Sequence, residues 1–207
     1  MNKSGERKNL DELLERLLKV DHFEPDSVIE SEKPDFIIEH QGSKIGIETT
    51  RAVAEEYVRA IRLQTSKHPS LWVNISDLMC RTTRRSNKDL EAIMGVNGLL
   101  RPWKRTSIVL EERKHKISKF LNAKRQKLNQ SDFQKFNENW LHIYDYPPLP
   151  DYECDREIMT QHIGTLLSAP STFKKDFDCV FIHSGKCLFR WRKGALELHI
   201  ANTNSQP

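Results

Sequence analysis

Two acids stand at the outer ends of a short apolar hairpin. The stretch runs Pro34-Asp35-Phe36-Ile37-Ile38-Glu39-His40-Gln41-Gly42-Ser43-Lys44-Ile45-Gly46-Ile47-Glu48-Thr49-Thr50, two apolar runs either side of a Gln-Gly turn. With Gln41 and Gly42 as the central turn residues, His40 faces Ser43, Ile38 faces Ile45 and Phe36 faces Ile47. The next pair outward is Asp35 opposite Glu48, with Cβ atoms about 5 Å apart. Like charges so placed destabilise a hairpin unless something positive lies between them. A divalent metal supplies that charge and favours carboxylate oxygens, which makes Asp35 and Glu48 candidate metal ligands. Two plainer readings stay open. Asp35 can be a turn acid and Glu48 a solvated strand end, or the turn can centre on Gly42-Ser43 and set Asp35 against Thr50.

Pro34-Asp35, twelve further residues and then Glu48-Thr49-Thr50 resemble the motif of the PD-(D/E)xK nuclease superfamily. In that family the Asp and the Glu hold a divalent metal, and a Lys two residues after the Glu helps to activate the attacking water. The resemblance implies a restriction-endonuclease-like core, with Mg2+ or Mn2+ at Asp35 and Glu48. Thr50 stands where the motif has its Lys. Lys44 shares the strand face of Glu48 but lies about 13 Å away along the strand; it is expected to pair with Glu39 across the hairpin. Arg51 points to the opposite face and holds its proton too tightly for proton transfer. Some members of the superfamily carry a migrated lysine, and the candidates here are Lys116 and Lys119 on a basic helix. Acids of neighbouring helices, Glu12 and Glu15 before the hairpin and Glu55 and Glu56 after it, are weaker candidates.

The elements that would position these residues follow from periodicity. Residues 1–8 read as a polar tail. Leu10, Leu13, Leu14, Leu17 and Leu18 then form the stripe of a half-buried helix, with Asn9 and Glu12 as a capping box. Val28-Ile29-Glu30 is a short extended piece before Pro34. After the hairpin, Arg51–Leu63 reads as a helix and Leu71–Ile75 as a third strand. Thr106–Leu128 reads as a long basic helix, Asn139–Asp145 as a strand and Asp155–Leu167 as a helix. Extended segments close the chain from Asp178 to Ile200, turning at Ser184-Gly185 and Lys193-Gly194. The expected fold is α/β (mixed α+β): a central mixed sheet flanked by helices, with a basic helical insertion and a C-terminal β-hairpin. It would form one domain over 1–207, with an irregular basic insertion over 77–105.

The charge is unevenly spread. The net charge of the chain is only +4, yet Arg81 to Lys127 holds fourteen Lys and Arg against four acids. Such a cluster is what a nucleic-acid contact surface requires. Arg81, Arg84, Arg85, Arg113, Lys114, Lys124, Arg125 and Lys127 are the candidate phosphate contacts. The four cysteines lie far apart with no C-x-x-C pair, so neither a zinc site nor a disulfide is expected. No apolar run approaches the roughly 18 residues of a membrane span, and the N-terminus lacks the apolar core of a signal peptide. A cytoplasmic protein is expected, without a membrane partner, acting on nucleic acid (DNA before RNA) and able to form a homodimer. Two functions compete. One is a metal-dependent nuclease of a phage-defence or mobile-element system. The other is a degenerate nuclease fold that binds nucleic acid, or protein, without cutting.

Overall fold

The computed structural model of the chain describes residues 3–53, 55–73, 85–95, 106–146 and 156–201. They divide into two compact units, Met1–Ala52 with Ile117–Pro207, and Val53–Lys116. No described helix is long and apolar enough to cross a membrane.

The first unit is built on a seven-stranded mixed sheet whose spatial order is the order of the chain. Its strands are β1 (Ser27–Glu30), β2 (Phe36–His40), β3 (Ser43–Val53), β4 (Glu138–Tyr146), β5 (Cys179–Ser184), β6 (Cys187–Arg192) and β7 (Ala195–Ile200). Strands β1 to β3 pair antiparallel, β4 and β5 pair parallel, and β5 to β7 pair antiparallel. The C-terminal hairpin is thus a three-stranded meander. Strand β5 is buried along its whole length, as a strand covered on both faces must be, and its Cys-Val-Phe-Ile run is correspondingly continuous in apolar residues.

Helix α1 (Lys3–Asp21) covers one face. Its Leu10, Leu13 and Leu17 pack in one core with Phe36, Ile38, Ile45, Ile47, Trp140 and Phe181. Along β3, alternation turns Glu48 to the other face, which carries the C-terminal part of α4 (Thr106–Leu128) and α5 (Arg156–Ser168).

The expected hairpin register is the observed one, with Phe36 opposite Ile47, Ile38 opposite Ile45 and His40 opposite Ser43. Gln41 (φ 49°) and Gly42 (φ 74°) both have positive φ, the backbone of the tight two-residue turn that matches strand twist. The Lys44–Glu39 pair also forms, at 3.0 Å.

Three expectations need correction. The N-terminal residues from Lys3 onward are helical, so Asn9 lies within α1 rather than capping it; it is buried and accepts a hydrogen bond from Arg51 Nη2 at 3.2 Å. The helix expected from Arg51 begins only at Glu55, because β3 continues to Val53 with Ala52 fully buried. The β-branched Thr49, Thr50 and Val53 suit that extended course. The third strand expected at Leu71–Ile75 is reduced to one antiparallel bridge between Trp72 and Gly95; Asn74 and Ile75 lie outside the described residues.

The second unit contains α2 (Glu55–Lys67), α3 (Asn87–Ala92) and the first part of α4. Ala60, Leu63, Leu90 and Met94 form its core. A capping box between Ser86 and Asp89 starts α3.

Candidate active site

The two hairpin acids meet as the register demands. Asp35 is the residue before β2, and its Oδ2 accepts the backbone N–H of Thr49 at 2.9 Å. Its own carbonyl accepts the Ser31 N–H at 2.9 Å. Gly46 makes room for this end of the hairpin. A Cβ there would come within 2.6 Å of Phe136 and 2.9 Å of Pro34, so Pro34, next to Asp35, and Phe136 lie against β3 only because residue 46 has no side chain.

The positive charge between the acids comes from lysine. Glu48 is fully buried, and each of its oxygens accepts from one ammonium: Oε2 from Lys124 and Oε1 from Lys127, both at 2.6 Å. The same ammoniums lie 3.6 Å and 3.5 Å from the Asp35 carboxylate. Two negative and two positive groups close a neutral quartet under α4. Lys124 and Lys127 are three residues apart and so share a helix face. Burial alone pulls the Lys127 ammonium pKa down, but the Glu48 hydrogen bond and the charges of Glu48 and Asp35 outweigh it and hold it above its ordinary 10.5. Lys127 therefore stays charged at neutral pH.

One acid was missed. Glu6 of α1 feels the charges of Asp35 and Lys124; burial first, and Asp35 second, raise its carboxyl pKa. Reading residues 1–8 as a tail removed it from view. Glu15 instead pairs with Lys19 on the same helix at 2.7 Å. Glu56 holds Arg85 in the second unit, at 2.9 Å.

The lysines bonded to Glu48 are Lys124 and Lys127, not the two first considered for the motif position. Lys119 is exposed, and Lys116 is buried within the second unit. The apolar stripe of α4 carried the signal. Ile117, Leu121 and Leu128 are its buried positions, and Lys124 falls on that inward face whereas Lys119 falls off it. Thr50 follows Glu48 on the same strand face and is half-buried.

The basic run is not one open surface. Arg113 and Arg125 are buried, and Arg125 is paired with Asp176 at 2.6 Å. Arg85 is tied to Glu56 through both its backbone and its guanidinium. Lys124 and Lys127 face the acids, so Lys114 and Lys119 are the lysines of α4 left to reach outward. Arg81 and Arg84 lie outside the described residues.

A second buried polar group sits on the α1 face of the sheet. His142 and His183, on β4 and β5, stack with ring centroids 6.0 Å apart. Neither nitrogen of His142 has a hydrogen-bond partner among the described residues; His183 Nε2 lies 3.2 Å from the Gly185 carbonyl oxygen. Burial, with smaller pushes from neighbouring positive groups, lowers the pKa of His142 to about 3 and that of His183 to about 4. Both are neutral imidazoles. Cys179 and Cys187 stand opposite other strand residues and not each other.

No protein-family model, curated protein or solved structure matches the chain. The reading of the site rests on its own chemistry. No cluster of three or more His, Cys, Asp or Glu side chains suited to a metal ion occurs among the described residues. Asp35 and Glu48 are nonetheless two facing carboxylates, and Mg2+ is commonly held by one or two carboxylates plus substrate phosphate and water. The donor set fits a cation of that kind once the ammoniums move off the oxygens.

Proposed function

We propose that the chain is a metal-dependent nuclease with a restriction-endonuclease-like core that hydrolyses phosphodiester bonds of DNA or RNA. The observation that carries this reading is the convergence of Asp35, just before β2, Glu48, in the middle of β3, and Lys124 and Lys127 from one helix face. Asp35 and Glu48 would hold Mg2+ (or Mn2+), which supplies an acidified water and charge for the leaving oxygen. Thr49 fixes Asp35 through its backbone N–H, so that carboxylate is oriented before anything binds. Lys127, held protonated, cannot accept a proton at neutral pH; it offers a positive charge to the phosphate oxygens. Lys124, bonded to Glu48 from the neighbouring helix position, stands in for the lysine that Thr50 replaces. Lys114 and Lys119 would give phosphate contacts that fade with salt.

One observation favours the second reading, a fold that binds without cutting: both Glu48 oxygens are already taken by lysines. Cleavage decides between them. Purified protein is incubated with duplex DNA, single-stranded DNA and RNA in Mg2+ or Mn2+, beside Asp35→Asn, Glu48→Gln and Lys124→Met. A nuclease loses on the order of 100-fold or more in rate in each variant, the scale of one lost electrostatic stabiliser. Cleavage unchanged in Asp35→Asn and Glu48→Gln removes the assigned site. Salt-sensitive binding with no cleavage in any metal establishes the second reading.

A further inference from the structure

Where α1 ends, at Asp21, a cavity of about 550 Å³ lies over the sheet. That is within the roughly 300–1,000 Å³ of small-molecule sites, and every lining residue belongs to the first unit. Its aromatic lining is a chain of rings: Phe23 is 4.3 Å from His40 and 5.4 Å from Trp140, centroid to centroid. Its charged lining is already matched, Arg192 with Glu138 and Arg190 with Asp21. A bare anion or cation would find no uncompensated charge there. Hydrogen-bonding capacity remains on both sides of these pairs. Among the described residues, Arg192 uses Nη2 towards Glu138, leaving Nε and Nη1, and Asp21 engages Arg190 through Oδ2, leaving Oδ1.

Flat apolar rings beside free donors and free acceptors suit a neutral planar ligand that has both on its edge. A purine stacks on aromatic rings, accepts from arginine N–H groups and donates to carboxylates. We propose that this cavity binds a purine base carried by a nucleotide. The site is separate from the acid–lysine quartet. Gln41 and Ser43, at the turn of the hairpin, line the cavity, whereas Asp35 and Glu48 lie at its far end, about 17 Å along the strands.

The test is titration of the full chain with guanosine monophosphate, adenosine monophosphate, ribose 5-phosphate and a purine tetranucleotide. Calorimetry and the indole N–H resonances of the tryptophans report binding. Saturable binding of at least one purine mononucleotide is expected, with the Trp140 indole signal moving and Asp35→Asn binding equally well. Affinity should fall roughly tenfold or more in Phe23→Leu and in Arg192→Ala, the scale of one lost base contact. Thermal melts confirm that both variants fold. The proposal is overturned by absence of saturation up to millimolar nucleotide, by equal binding of ribose 5-phosphate, or by binding of the tetranucleotide alone. Binding lost in Asp35→Asn but unchanged in Arg192→Ala would also overturn it, placing the nucleotide at the quartet. Because Asp35→Asn is part of the test, failure of the nuclease reading and failure of this one are told apart.

Discussion

The sheet buries polar groups on both faces and treats them in opposite ways. Under α4, the buried Glu48 carboxylate accepts from two ammoniums at 2.6 Å. Under α1, His142 has no counter-charge and no hydrogen bond among the described residues, and it stays neutral instead. A carboxylate flanked by cations can remain ionised in a dry place, whereas an imidazole without a partner sheds its proton. The first arrangement is costly to build and useful for chemistry; the second fills space with a ring that has lost its acid–base function. Perturbed titration alone would have pointed to the histidines, and partner geometry points to the acids.

Acid should break the histidine side of this contrast first. Between the folded values of about 3 and 4 and the unfolded value of 6.5, the unfolded chain binds protons that the folded chain does not. Stability is therefore intact above pH 6.5 and lost as pH falls below it. From pH 6.5 to 4.5 each histidine is expected to remove on the order of 2–3 kcal/mol. Urea unfolding of the His142→Leu, His183→Leu double variant should show a flatter acid limb; a slope equal to that of the parent chain contradicts the neutral pair.

The quartet should respond to single changes and tolerate a concerted one. Glu48→Leu strands two half-buried ammoniums and should cost about 3–5 kcal/mol. Replacing Asp35, Glu48, Lys124 and Lys127 together with Asn, Leu, Met and Met should recover most of that loss. If the fourfold variant is as unstable as the single one in denaturant titration, the four groups do not act as a unit. Gly46→Ala forces Phe136 and Pro34 away and should cost about 1–3 kcal/mol in denaturant titration; under the nuclease reading proposed above, cleavage should fall as well as Asp35 shifts. The smallest effect is alkaline. The raised Lys127 value means that its contribution is complete below 10.5 and lost as pH climbs through the folded value. Lys127→Met should therefore lack the steepening of the unfolding curve above that pH; a steepening that persists would assign it to another group.

The hairpin was legible because alternation and a two-residue turn leave only two registers, and the one centred on Gln41-Gly42, which brings Asp35 to Glu48, is the one that forms. The limits of α4, at Thr106 and Leu128, were legible for the same local reason. Which lysine reaches the acids was not. Lys116, Lys119, Lys124 and Lys127 all lie on one basic helix whose interrupted apolar stripe separates them only weakly, and the choice is made by how the C-terminal part of α4 rolls against the sheet. The start of α1 was hidden because Lys3 to Lys8 carry no apolar stripe; tertiary contacts, not periodicity, keep that turn helical. The extension of β3 past Thr50 likewise depends on burial of Ala52, which a helical pattern in Val53, Tyr57, Ala60 and Ile61 conceals.

The quartet also has a history within each molecule's synthesis. Lys124 lies 76 residues beyond Glu48, and Lys127 lies 79 beyond it, and the spatial order of the strands is their order in the chain. Both carboxylates are therefore synthesised before either lysine, by several seconds at a synthesis rate of about 5–20 residues per second. During that interval the two acids have been made and the ammoniums that meet them in the finished fold have not.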